Sequence, residues 1–196
     1  MQVQLKKIQG EWDAGFVLDQ HSTGGRPDGF YANGHQKFDM DYTEMGAAVN
    51  QLKYHGDFSQ VPDLAKAVYA HILPLLPAIA RVVPMASSTP RTRQPVNAVA
   101  AYIAAMLRVP VEKGFLIKAA GSKSLKDLPT RAEKDAALRG KLSLARDLDG
   151  DGNQNILLVD DLFETGASLD AACRVLRNCE KISHIYVAAL TWRRPR

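Results

Sequence analysis

The chain has 196 residues, of which 46% are apolar and 23% charged, with a net charge of +4. That is an ordinary globular balance, long enough for one domain with a proper core. The longest apolar tract, Ile72 to Met85, is broken by Pro74, Pro77, Arg81 and Pro84, which excludes a membrane span. Cys173 and Cys179 form no CxxC pattern and read as reduced thiols. Met1 to Gly10 has no apolar stretch after Lys6 and Lys7, so no signal peptide is expected and the protein is placed in the cytoplasm.

In chain order, Val3 to Ile8 and Trp12 to Leu18 read as short strands. His21 to Asp41 is rich in glycine and polar residues, and reads as turns or a hairpin excursion. His21 and His35 lie far from metal-ligand spacing. Met45, Ala48, Val49 and Leu52 share one helical face, with Gly56 as the stop. Asp63 is expected to cap a second helix through Leu64, Val68 and Ile72, closed by Pro74. Ile79 to Pro84 is a predicted strand, Pro95 to Leu107 a third helix, and Val109 to Ile117 a further strand. Lys118 to Lys141 is charged and reads as a long mobile loop, helical near Ala132 to Leu138. The run Asp149-Gly-Asp-Gly-Asn153 lacks the later bidentate acid of a calcium loop, and a hairpin-like turn is expected there. Ile182 to Leu190 is a closing strand, and the tail Arg193-Arg194-Pro195-Arg196 reads as basic and solvated.

The most specific stretch is Asn155 to Leu169. Ile156 to Val159 is an uninterrupted apolar run, as in a strand buried on both faces of a parallel sheet. Asp160 and Asp161 end it, and Thr165-Gly-Ala-Ser168 leads into a helix from Leu169 to Leu176. Adjacent carboxylates suit the vicinal hydroxyls of a ribose. The turn Thr165, Gly166, Ala167, Ser168 and Leu169 sits at a helix N-terminus, where free N–H groups and the helix dipole favour a phosphate. Gly166 permits close backbone approach, and Thr165 and Ser168 add hydroxyl donors. Alternation of strand and helix from about residue 42 onward implies an α/β fold with a mostly parallel central sheet flanked by helices. The division expected is a hood over 1–41 and a core over 42–196 within a single domain.

Apolar strand, two acids and a hydroxyl-and-glycine loop together resemble the signature of the type I phosphoribosyltransferases. The receiver domain of response regulators also ends a strand in paired acids, but only 35 residues follow Asp161, too few for it. Leu52-Lys53-Tyr54-His55-Gly56-Asp57 resembles the ComF group of phosphoribosyltransferase-like proteins, and Arg139-Gly-Lys141 is compatible with it. The resemblance covers roughly Tyr42 to Trp192. It implies that Val82 to Ser88, with Ser87 and Ser88 and with Arg91 and Arg93 behind, holds pyrophosphate. It also implies that Gly121 to Arg131 is the catalytic loop, with Lys123, Lys126 and Arg131 available to pyrophosphate.

The resemblance further implies phosphoribosyl pyrophosphate as substrate, a nucleobase acceptor, and Mg²⁺ carried on substrate oxygens with waters bridging to Asp160 and Asp161. Two departures stand out: no cysteine precedes Cys173, where ComF proteins often carry a zinc segment, and Arg91-Thr-Arg-Gln-Pro-Val-Asn97 replaces the usual Arg-Gly-Phe-Asn. A third is Glu164, where many members carry a hydroxyl residue and purine-salvage enzymes an acid. Glu164 either crosses the pocket as a proton acceptor or faces solvent. The rival account is a non-catalytic, regulatory or DNA-uptake module that binds nucleic acid; a second copy of the chain is a further candidate partner.

Overall fold

Ile156, Leu157, Leu158 and Val159 are all fully buried, because strand β8 (Gln154–Phe163) has neighbours on both sides and a core against each face. The computed structural model describes residues 1–30, 34–87, 89, 91–119 and 140–194. Its main sheet has five strands in the order β1 (Lys6–Ile8), β2 (Ala14–Gln20), β9 (Ile182–Trp192), β8, β5 (Arg81–Pro84). β2, β9, β8 and β5 are parallel to their neighbours, and only β1 is antiparallel. This is an α/β fold with a mostly parallel sheet flanked by helices.

Alternation along β8 divides the core. Ile156 and Leu158 face one cluster with Trp12, Phe115 and the helix α4 (Ala167–Leu176). Leu157 and Val159 face the other, with α1 (Glu44–Asn50), α2 (Val61–His71) and α3 (Pro95–Leu107). An apolar run without polar interruption is what burial on both faces requires.

β1 and β2 belong to this sheet, so the sheet draws on both sides of the sequence division at residue 41. Past Gln20, which pairs with Trp192, the chain leaves as an antiparallel ribbon of β3 (Ser22–Phe30) and β4 (Gln36–Tyr42). Phe30 and Phe38 are exposed on that ribbon. The hairpin excursion read from glycine content is therefore present as a paired ribbon, with register shifts between Ser22 and Gly24 and between Pro27 and Phe30.

Several sequence expectations need correction. Asp160 and Asp161 do not end β8, which stays paired with β9 as far as Phe163 and Trp192. Asp63 does not cap α2: the helix starts at Val61 with Pro62 in its first turn, and Asp63 lies inside that turn. Pro can occupy the first turn because its missing N–H is not needed there. Val109 to Ile117 is not one strand; Val111 makes a single bridge to Val82, and β6 (Leu116–Lys118) pairs instead with β7 (Leu142–Leu144). The turn at 149–153 is likewise not a hairpin, since β7 and β8 do not pair. Its Asp149 carbonyl accepts from Arg81 and Gln154. The expectations for residues 120–139 lie outside the described residues. Among those described, no helix is long and apolar enough to cross a membrane.

α1 starts from the Thr43 cap, whose hydroxyl accepts from the Gly46 N–H at 3.0 Å. It then widens into a π-helical turn, Gln51–His55, that ends on Gly56 at φ 69°. Gly46 lies directly against the His21 backbone, and a Cβ there would overlap the His21 carbonyl. Gly46→Ala is therefore expected to lower stability by about 1–3 kcal/mol, read as a shift in the urea midpoint without a change in slope.

Candidate functional site

The site arises from a mismatch in strand length. β5 pairs with β8 only as far as Pro84 and Val159, with a last bond from Met85 N–H to the Val159 carbonyl at 2.8 Å. β9 continues beside β8 to Trp192, and the Arg193 N–H then donates to the Phe163 carbonyl at 3.0 Å. Residues 160–163 thus have a strand on one side and open space on the other. A cavity of about 300 Å³ occupies that space, lined by Asp160 to Leu169, the loop after β5, Lys53, Tyr54, Lys118 and Arg193. It lies beyond the carboxyl ends of parallel strands, the usual ligand position in an α/β sheet.

Asp160 and Asp161 are both half-buried, and the Asp161 N–H donates to Asp160 Oδ1 at 2.9 Å. Burial, followed by the adjacent Asp161 charge, pushes the Asp160 carboxyl up to about 7, with Lys53 opposing the shift. Lys53 Nζ lies 2.6 Å from Asp161 Oδ2. Burial works against the Lys53 charge, but Asp161 outweighs it by charge and hydrogen bond, and the ammonium is held above its usual range.

Behind the acids, Thr191 Oγ1 donates to the Asp161 carbonyl at 2.9 Å and lies 3.0 Å from His21 Nδ1. Burial, then the Lys53 and Arg193 charges, hold His21 below its ordinary value. On the opposite wall Lys118 is also lowered, first by burial and then by Lys141.

The turn after the acids is shaped by Gly166, which has φ 80° and is the residue before α4. Ala167 N–H reaches Thr165 Oγ1 at 3.5 Å, and the remaining first-turn amides follow along Ser168 and Leu169. Trp12 packs beneath this turn, edge-on to Phe163 with centroids 6.4 Å apart. The neighbouring Glu11 N–H donates to buried Asp170 of α4 at 2.8 Å. The N-terminal segment therefore braces the turn from below.

Glu164 and Arg193 change most relative to the sequence reading. Arg193 is not a solvated tail residue: its Nε and Nη2 both donate to Glu164 Oε2, at 2.9 and 2.6 Å. Glu164 accordingly lies in the cavity wall, not in solvent, and it is paired.

The structure brings Lys53, Ser87, Asp160, Asp161, Glu164 and the 165–169 turn into one cavity. Ser87 is turned inward on its own loop, donating to the Thr89 carbonyl at 2.7 Å. Arg91 lines the same space, and its guanidinium donates to the Lys53 carbonyl. Arg93 instead stacks on Phe58, 3.8 Å from the ring centre. Ser88, Lys123, Lys126 and Arg131 lie outside the described residues.

The cavity residues that sequence reasoning missed are Arg193 and Lys118, along with Trp12 beneath the turn. None of them had a local signal; Arg193 is placed by the pairing of β9 with the acid-bearing β8, which only the structure shows.

No protein-family model matches the chain, and a comparison with curated proteins finds no match. Solved structures do match. The adenine phosphoribosyltransferase of Leishmania donovani is similar over 96% of this chain and 86% of its own, with a TM-score of 0.50 at 11% identity. That of Leishmania tarentolae matches over 96% and 94%, with a TM-score of 0.49 at 10% identity. The chain has the type I phosphoribosyltransferase fold. At this identity the likeness is one of fold, and the chemistry has to be argued from the site.

Two outcomes are expected from the site geometry. Gly166→Ala puts a Cβ on a left-handed backbone, 3.2 Å from the Phe163 ring, and should cost about 1–2 kcal/mol in denaturant titration. Asp160 has a folded-state proton affinity raised to about 7, so the native state binds more protons than the unfolded chain between about pH 4 and 7. Its burial therefore costs little below that window and most above it. Asp160→Asn should raise the Tm at pH 8 and leave it nearly unchanged at pH 4; equal shifts at both would contradict the assignment.

Proposed function

We propose that this chain binds phosphoribosyl pyrophosphate with Mg²⁺ and transfers the phosphoribosyl group to a nitrogen of a nucleobase acceptor. One observation carries the reading: the acid pair and the first turn of α4 open into the same cavity at the strand ends. Hydroxyl acceptors and phosphate donors stand side by side there, as a ribose 5-phosphate requires.

In this scheme Asp160 and Asp161 accept hydrogen bonds from the 2′- and 3′-hydroxyls, orienting the ribose. The 165–169 turn holds the 5′-phosphate with its amides, Thr165 and Ser168. The acceptor nitrogen forms a bond to the anomeric carbon while the bond from that carbon to the diphosphate oxygen breaks. The electron pair leaves with pyrophosphate, and the acceptor's proton passes to a base or to water.

Ser87, Arg91 and Lys118 line the cavity where the leaving group would sit. Among the described residues, no group of three or more His, Cys, Asp or Glu is placed to hold a metal ion. The donor set suits Mg²⁺ carried on substrate oxygens, with Asp160 and Asp161 holding its waters. The ion supplies charge neutralisation of the diphosphate. Glu164 is the candidate base, and Arg193 must release Oε2 before that oxygen can take a proton.

Isothermal calorimetry tests this. The wild-type chain should bind phosphoribosyl pyrophosphate in the presence of Mg²⁺, and Asp160→Asn/Asp161→Asn should lose about tenfold or more in affinity. Absence of wild-type binding sinks the reading. Binding without pyrophosphate release over a panel of nucleobases leaves a regulatory module, and salt-sensitive binding of single-stranded DNA in its place favours a nucleic-acid role.

A further inference from the structure

Lys53 has two attachments that serve two different walls of the cavity. Its ammonium sits 2.6 Å from Asp161 Oδ2, and its backbone carbonyl accepts from the Arg91 guanidinium in the loop between β5 and α3. It is presented by the π-helical turn Gln51–His55, a distortion that bulges the backbone outward and that recurs at functional sites. The same turn buries Leu52 against α2 and α3, so Lys53 is held from a packed element and not from a loop. Its side chain is 26% exposed and that of Asp161 15%, which places the pair inside the cavity wall where screening by water is weak.

Two carboxylates in sequence, both half-buried, repel each other and favour sharing a proton. A ribose needs them as hydroxyl acceptors. A cation fixed on one oxygen of the second acid satisfies that oxygen, offsets the repulsion and leaves the rest of the carboxylate for a ligand. Among the described residues, Lys53 is the one side chain ion-paired with Asp161.

We propose that Lys53 is a positioning residue for the ribose end of the substrate. It holds Asp161 in its hydroxyl-accepting orientation and ties that acid, through its own carbonyl, to the Arg91 loop. Lys53 does not contact the diphosphate. This rests on the phosphoribosyl reading of the cavity, and it gives the Leu-Lys-Tyr stretch a task distinct from phosphate binding.

The test measures calorimetric affinity of the full chain for two separate probes, ribose 5-phosphate and inorganic pyrophosphate with Mg²⁺. Lys53→Met should weaken ribose 5-phosphate binding by about tenfold, in line with loss of a charged hydrogen bond, and leave pyrophosphate binding within about twofold. Lys53→Arg keeps the cation and should restore most of the loss, which also separates the effect from misfolding. In the Asp161→Asn background, Lys53→Met should cost little more, because the partner it positions is already gone.

An equal loss for both probes, or full additivity with Asp161→Asn, overturns the inference and makes Lys53 a diphosphate contact. Failure of the wild-type chain to bind ribose 5-phosphate or phosphoribosyl pyrophosphate at all removes the phosphoribosyl reading itself, a separately recognisable result.

Discussion

The pairing of Lys53 with Asp161 is the interaction around which the site is arranged. Two like charges on consecutive residues, half removed from water, repel and are costly to desolvate unless a cation faces them. The chain meets this need from far away in sequence, on a helix that packs against the opposite side of the sheet from α4. α1 sits hard against the corner after β2, where Gly46 touches the His21 backbone. The helix widens at its end, and Lys53 on that wider turn reaches Asp161 near the end of β8. α1 itself is held by Met45, Ala48 and Val49, buried in the core on that face of the sheet, and the ion pair draws on a helix already fixed there.

The second constraint is the unequal length of the strands around β8. β5 stops at Pro84 while β9 runs on to Trp192. A sheet with flush ends would leave no wall for a cavity beside the acids. Here the longer strand supplies the wall, followed at once by the arginine that grips Glu164. The short strand supplies the opening, and its loop carries Ser87 and Arg91 to the far side.

Much of this was legible in the residues. The run Ile156 to Val159 reported a strand buried on both faces, because only such a strand dispenses with alternation. The acids and Gly166 reported the turn that opens α4, because strand, carboxylates, glycine and helix follow one another without a gap. Pro95 to Leu107 was legible to the residue from its apolar spacing, and the structure closes that helix on Arg108 at φ 57°. What stayed hidden depended on distance between residues far apart in sequence. Nothing local to Trp12 indicates that it lies beneath residue 166, and nothing in a basic tail distinguishes an ion-paired arginine from a solvated one. The extension of β8 through two acids was hidden for a related reason: pairing with β9 continues through residues whose polarity ordinarily signals a strand end. Asp63 misled because an acid in the first turn of a helix resembles an acid at its cap, both being favoured by the same dipole.

The brace beneath the Gly166 turn has an optical consequence. The chain holds two tryptophans, and both border the site: Trp12 lies edge-on to Phe163 under Gly166, while Trp192 pairs with Phe163 across the strands and has Lys6 4.1 Å above its ring. Indole emission responds to nearby charge and to the rigidity of its surroundings. All the tryptophan fluorescence of this protein therefore originates within a few residues of the cavity, and the molecule carries its own reporter of whether that cavity is filled.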